Sequence, residues 1–289
     1  MAVEFRLRTH LQVLVGERHP LSSPAHLQQA ERYLYEQFSK LGLTVTTHEF
    51  EAMGGIYRNV IGVAHPTPKQ GQPVLPPLIV AAHYDTVRGS PGADDNASAL
   101  AVLLDVAQRI TQTPLSRPIH FIAFGLEEED LLGSRAYVAH LTATRKPVQG
   151  AIILESVGYA RDEEGSQKIP PGVPIAVPTV GNFLAVIGNQ SSSSLTMAVE
   201  QAMRSHLPIV PLIVPGNGEL LPDTRRSDHT PFWEHGFPAV MLTDTANFRN
   251  PHYHRPTDTI ETLNLGFMAS VADGLTAAIL CLTETQGTP

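Results

Sequence analysis

Five short segments of the chain place histidine or carboxylate side chains at the ends of apolar runs, where such groups are costly to bury without partners. His83-Tyr84-Asp85 closes the run PLIVAAHYD. Residues two apart on a strand face the same side, so Asp85 can accept a hydrogen bond from the His83 imidazole nitrogen that does not meet a metal. Gly92-Ala93-Asp94-Asp95-Asn96-Ala97-Ser98 opens the helical stretch ASALAVLLDVAQRI. One Asp there suits a helix N-cap, and two followed by Asn exceed that need. A carboxylate can place one metal on each oxygen, which suits Asp95 to bridging, with Asp94 and Asn96 supporting the loop. Glu127-Glu128-Glu129-Asp130 directly follows IHFIAFG, so one carboxylate can hold a metal while its neighbour takes a proton from an attacking water. Glu155 ends the run GAIILE, and His252-Tyr253-His254-Arg255-Pro256-Thr257-Asp258 forms a histidine and aromatic cluster in a polar loop.

Each segment alone has an ordinary explanation: a strand-end His bonded to a turn Asp, a capped helix, a solvated charge run, an exposed turn. Their shared position at strand ends argues for one site. Counted together, they offer two His, one bridging Asp and two Glu as ligands, and a further Glu as base. Nitrogen and oxygen donors without thiolate suit Zn²⁺ in a catalytic role and leave Mn²⁺ or Co²⁺ possible. Two such ions are expected about 3.5 to 4 Å apart.

The elements that must hold these groups follow from periodicity. From Leu78 onward, short apolar runs alternate with helical segments: PLIVAAHYD, ASALAVLLDVAQRI, IHFIAFG, SRAYVAHL, GAIILESVG. That pattern predicts an α/β fold with a mixed, mostly parallel central sheet and helices on both faces. Ligands of such folds lie at the carboxyl ends of the strands, where His83, Glu127, Glu128 and Glu155 fall. Upstream, Ser23-Pro24 and Gly42 bracket a predicted helix, TVTTHEFEA and YRNVIGVAH read as a hairpin turning at Met53-Gly54-Gly55, and His65 to Pro77 reads as a surface loop. Downstream, FLAVIGN, Ile209 to Val214 and FPAVMLT are expected strands, with helices over about 194–206 and 263–282. Residues 161–181 are rich in Pro, Gly and charge, and suit a surface insertion or a lid. No repeat divides the chain, so residues 1–289 are expected to form a single domain.

A net charge of −8 gives no electrostatic footprint for nucleic acid or an anionic membrane, and neither partner is expected. The N-terminus shows no secretory apolar stretch and no window approaches 18 apolar residues, so the chain is expected to be cytoplasmic, with secretion not excluded. Cys281, the single cysteine, rules out an internal disulfide and is expected as an inert core thiol on a buried helical face.

Taken in order, HYD, GADDNAS, EEEDLLGS, LESVG, SDHTPF and HYHRPTDT resemble the M28 zinc aminopeptidases typified by secreted bacterial leucyl aminopeptidases, over about His83 to Asp258. The resemblance implies a co-catalytic zinc pair: one ion on His83 and Glu155, the other on Glu128 and His254, with Asp95 bridging. It implies a metal-activated water, Glu127 as general base, Tyr253 as an oxyanion stabiliser, Asp85 as an outer partner, and peptides with a free N-terminus as substrates. Asp228 and His229 would lend support near the site. Glu129-Asp130 stands where the family usually has Leu-Gly, Ala99 where Gly is common, and Glu155 where some members have Asp. Those departures bear on substrate preference more than on metal binding. Competing readings are a glutaminyl cyclase-like enzyme, another amide hydrolase such as a deacylase or a carboxypeptidase using Arg225-Arg226, and a binding module that has lost catalysis. Oligomeric state is not legible.

Overall fold

The computed structural model describes residues 2–66 and 75–284, so the expected loop from His65 to Pro77 falls mostly outside the described residues. Among the described residues, one eight-stranded sheet comprises β1 (Thr44–Ala52), β2 (Gly55–Ala64), β3 (Leu78–His83), β4 (Ile119–Phe124), β5 (Gly150–Glu155), β6 (Leu184–Asn189), β7 (Ile209–Val214) and β8 (Ala239–Thr243). The spatial order is β1-β2-β4-β3-β5-β8-β6-β7. The centre, β4-β3-β5-β8, is parallel. The β1–β2 hairpin joins β4 antiparallel, and β6 joins β8 antiparallel while running parallel to β7.

Alternate side chains of the buried central strands feed two cores, as a sheet covered on both faces requires. Val80, Phe121, Ile152 and Leu154 face α1 (Val3–Leu14), α2 (Pro24–Lys40), α3 (Ala99–Ile110), α5 (Ser193–Met203) and α7 (Leu265–Glu284). Ile79, Ile122, Ile153 and Met241 face α4 (Leu132–Ala143) and α6 (Thr230–Glu234) through Tyr137, Val138, Phe232 and Trp233. The predicted layers and strand assignments are therefore met.

Several local expectations need correction. Ser23 occupies the N-cap position of α2, yet its side chain makes no cap bond; Pro24 and the buried Leu27, Leu34 and Phe38 define that helix instead. No Asp caps α3, whose N-cap position is Ser98. The helix α1 was masked by its charges, but Leu7, Leu11 and Leu14 form a buried stripe at helical spacing. Cys281 is exposed, not buried: Ala278, Ile279 and Leu282 take the inward face of α7, and Cys281 falls off that stripe. By length and mean hydropathy α7 is apolar enough to cross a membrane, contrary to the residue-by-residue reading, and here it packs against α1, α3 and α5.

One packing contact braces the end of β4 just before the glutamates. Asn59 of β2 donates to the Gly133 carbonyl at 2.8 Å and accepts from the Gly125 amide at 3.0 Å. A Cβ on Gly133 would meet the Gly125 carbonyl oxygen at 2.1 Å and the Asn59 Oδ1 at 2.5 Å. Gly133→Ala should therefore reduce stability by about 1–3 kcal/mol through overpacking, measured by denaturant unfolding. An unchanged midpoint would show that α4 can shift freely.

Candidate active site

The parallel centre of the sheet assembles the candidate groups at one edge. His83 is the last residue of β3 and Glu155 the last of β5, its neighbour. Glu127 and Glu128 follow β4 on the other side of β3. Asp95 comes from the irregular turn Ala93–Ser98 leading into α3, and His254 from the loop before α7. The Asp95–Asn96 peptide bond is cis. Leu126, Ser156 and His254 have φ of 59°, 50° and 58°. Such left-handed backbone in non-glycine residues is held only where surrounding structure demands it, and it gathers at functional sites.

Asp95 lies at the centre. Its Oδ1 is 3.1 Å from His83 Nε2 and its Oδ2 is 3.0 Å from His254 Nε2. Glu155 Oε2 stands 3.4 Å from His83 Nε2, and Glu128 Oε2 stands 3.3 Å from His254 Nε2. Glu127 Oε2 is 3.8 Å from His83 Nε2. All six side chains predicted from the sequence as ligands or base thus converge. Tyr253 is also present, its ring stacked on that of His254 with centroids 3.8 Å apart.

Asp85 stands beside the His83 nitrogen that faces away from Asp95, as expected, but its short bonds run elsewhere. It lies past the end of β3, 3.5 Å from His83 Nδ1, too long for a well-formed hydrogen bond. Its two oxygens instead accept the backbone amides of Glu127 and Glu128, each at 3.0 Å. It therefore ties the β3 edge to both glutamates. Asp94 and Asn96 brace the loop as expected: Asp94 accepts from the Gly158 amide and the Asn250 side chain, and Asn96 bonds Leu154 and Ser156 backbone. Asp228 is fully buried near the cluster and His229 bonds the Thr224 carbonyl, so neither reaches the centre through a direct contact with Asp95. Glu129 is half-buried and pairs with His19 at 3.4 Å, while Asp130 is exposed beside Arg135.

Sequence reasoning gave no role to three supports. The Asp258 carboxylate accepts the backbone amides of both Asp94 and Asp95, Ser227 Oγ donates to Glu155 Oε2 at 2.8 Å, and Arg18 is buried beneath the site. The Arg18 guanidinium donates to the carbonyls of Leu14, Gly16, Tyr84, Pro91 and Gly92, fastening the N-terminal arm to the loops that carry Asp85 and Asp95. Only the SDH and TDT runs hinted at two of these; nothing local marks Arg18.

Charge crowding sets the protonation. Burial and neighbouring carboxylates raise Glu127 well above the usual range and Glu128 to about 7. Burial opposes the charged forms of His83 and His254, but surrounding carboxylates outweigh it, raising His83 well above its ordinary value and His254 to about 10. Burial would also raise Asp95, yet its contacts with both histidines hold it well below the usual range. These directions follow from the protein's own charges. Both ring nitrogens of His83, Asp95 Oδ1 and Glu128 Oε1 are buried without a hydrogen-bond partner. Buried polar atoms of this kind are normally satisfied, and imidazole nitrogens beside carboxylate oxygens form a donor set that fits a divalent cation.

Beside Glu155 and Tyr253 opens a cleft lined by Phe183, Ile187, Leu212 and Met241. Its wall includes Pro170, Val173, Ile175 and Val177. The base of that segment is fastened by Arg161 N to Gly181 O at 2.9 Å, Gln167 N to Thr179 O at 3.0 Å and Lys168 N to Phe248 O at 2.8 Å.

An α/β sheet with imidazoles and carboxylates gathered around one aspartate at its carboxyl edge defines a metal-dependent hydrolase. The chain belongs to Peptidase family M28, whose family model matches residues 59–279. It is 34% identical to the uncharacterized protein YfbL of Escherichia coli K12 over 93% of this chain and 85% of that protein. It is 29% identical to aminopeptidase YwaD of Bacillus subtilis over 80% of this chain, and spans 46% of that relative's length. The solved structure of BSAP, a zinc aminopeptidase from Bacillus subtilis, superposes with TM-score 0.59 at 26% identity over 82% of this chain and 53% of that one.

Because raised pKa values keep His83 and His254 protonated at neutral pH, a divalent ion must displace protons to bind, and its affinity should rise with pH toward the His254 value of about 10. Calorimetric titration of chelator-treated protein with Zn²⁺ in two buffers of different ionisation enthalpy should show proton release. Identical heats in both buffers would contradict this assignment.

Proposed function

We propose that this protein is an aminopeptidase that removes the first residue of peptides at a pair of zinc ions. The carrying observation is Asp95, whose two oxygens face two different imidazoles, at 3.1 and 3.0 Å, each flanked by its own glutamate. Such an arrangement suits two cations sharing one carboxylate: His83 and Glu155 would hold one, and His254 and Glu128 the other. When bound, the metal pair supplies Lewis acidity, polarising the scissile carbonyl and lowering the pKa of water. Mn²⁺ or Co²⁺ would suit the same donors.

The protein's own residues would then do the following. Glu127, buried with its Oε2 3.8 Å from His83 Nε2, takes the proton of the attacking water and passes it to the leaving amine. Asp85 holds the backbone of Glu127 and Glu128 at fixed spacing, so the base and its neighbour keep their register. Tyr253 offers its phenol proton to the carbonyl oxygen as charge develops there. The excess of carboxylates favours a free, cationic amino terminus. Apolar Phe183, Ile187, Leu212 and Met241 would receive an apolar first side chain, with the segment 168–177 acting as a fixed wall rather than a loose insertion.

Glu127→Gln should retain metal and lose turnover by roughly 10²- to 10⁴-fold, read as amino acid released from an unblocked dipeptide. Retained activity would remove Glu127 as the base. The unmodified protein should cleave Leu- or Phe-initiated dipeptides and leave their N-acetylated forms intact. Cleavage of the blocked peptides would favour a deacylase or carboxypeptidase, and cyclisation of Gln-initiated peptides without release of an amino acid would favour a cyclase.

A further inference from the structure

Among the described residues, Arg226 is the one cationic side chain lining the cleft. Its Nη2 donates to the Tyr253 hydroxyl at 3.1 Å, and its Nη1 donates to Asn247 Oδ1 at 2.9 Å, with Asp223 Oδ1 at 3.5 Å. The following residue, Ser227, donates to Glu155. Arg225, by contrast, is turned away: it donates to the Asn217 carbonyl and pairs with Glu234. The pair Arg225-Arg226 is therefore no double clamp for a substrate carboxylate.

A guanidinium has five donors and no acceptor. In its contact with Arg226 the phenol oxygen of Tyr253 must accept, so the Tyr253 proton is left to point elsewhere. Among the described residues no acceptor takes it. Stacking against His254, with planes 16° apart, holds the ring. A donor locked in orientation, with its proton uncommitted and its oxygen polarised by a cation, is prepared to meet a developing oxyanion without reorganising.

We infer that Arg226 is a positioning residue that orients and polarises the Tyr253 hydroxyl toward the scissile carbonyl, held in place itself by Asn247 and Asp223. This rests on the aminopeptidase reading and on Tyr253 acting there as a donor. Arg226 acts through Tyr253, so its worth should vanish when the phenol is gone. It should also appear in kcat rather than KM, because the interaction strengthens only as charge develops.

The test is a double-mutant cycle in the zinc-loaded full chain, with kcat and KM measured on Leu-initiated dipeptides and on the corresponding dipeptide amides. Arg226→Met should lower kcat by roughly tenfold or more with KM little changed, as loss of a hydrogen bond to a charged group implies. Arg226→Lys should restore part of that loss. In the Tyr253→Phe background, Arg226→Met should have almost no further effect. Equal and fully additive losses would overturn the inference while leaving Tyr253 as a donor. A KM increase confined to peptides with a free carboxylate would overturn it in favour of carboxylate binding by Arg226. Unchanged kcat in Tyr253→Phe would instead remove the parent role of Tyr253, and this inference with it. Thermal unfolding of each variant separates these outcomes from a folding defect, since Arg226 lies at the rim of the cleft and Arg226→Lys preserves its charge.

Discussion

Asp95 and the two imidazoles that face it impose the constraint around which the site is built. Asp95, Glu127, Glu128 and Glu155 are brought together where water is largely excluded, and their mutual repulsion must be offset by positive charge. His83 and His254 supply that charge as imidazolium when protons are the available cations. The same nitrogens and oxygens are the donors a divalent ion would take. The geometry that makes the cluster unfavourable as an assembly of acids makes it favourable as a cation site.

Holding such a cluster open demands rigid supports, and they come from every layer. The parallel order β4-β3-β5 sets His83 between the glutamates after β4 and Glu155. Asp85 fastens the first pair through backbone amides, Asp258 fastens the Asp94-Asp95 turn in the same way, and Ser227 anchors Glu155. Arg18 binds carbonyls at both ends of the segment that joins β3 to the Asp95 turn, Tyr84 at one end and Pro91 and Gly92 at the other; burial lowers its pKa to about 10, yet nearby Asp85 and Asp95 keep it cationic. The left-handed backbone at Leu126, Ser156 and His254 is the local strain that these bonds must outweigh.

The strand-end residues were legible because an apolar run ending in His or Glu leaves a polar group where an α/β fold places its ligands. His83, Glu127, Glu128 and Glu155 were found this way, Asp95 because two Asp and an Asn exceed what a helix cap needs, and His254 rather than His252 only through the resemblance to the M28 family. What stayed hidden depends on contacts between residues far apart in the chain. Asp258 reaches back 164 residues to Asp94, and Arg18 reaches forward 74 residues to Gly92. No periodicity encodes such pairings. The α1 helix was missed because Glu4, Arg6 and Arg8 interrupt its apolar stripe, and Cys281 was misplaced because a helix apolar on most sides does not announce which face is inward. The cleft, assembled from β6, β7, β8 and the segment after Arg161, has no linear signature at all.

The central claim is that Asp95 is shared by two cations. Anomalous scattering at the zinc edge from crystals of the zinc-loaded protein tests it most directly. Two peaks of comparable height are expected, one beside His83 and Glu155 and one beside His254 and Glu128, with an Asp95 oxygen contacting each. A single peak at full occupancy, or two peaks that leave Asp95 uncoordinated, would contradict the account.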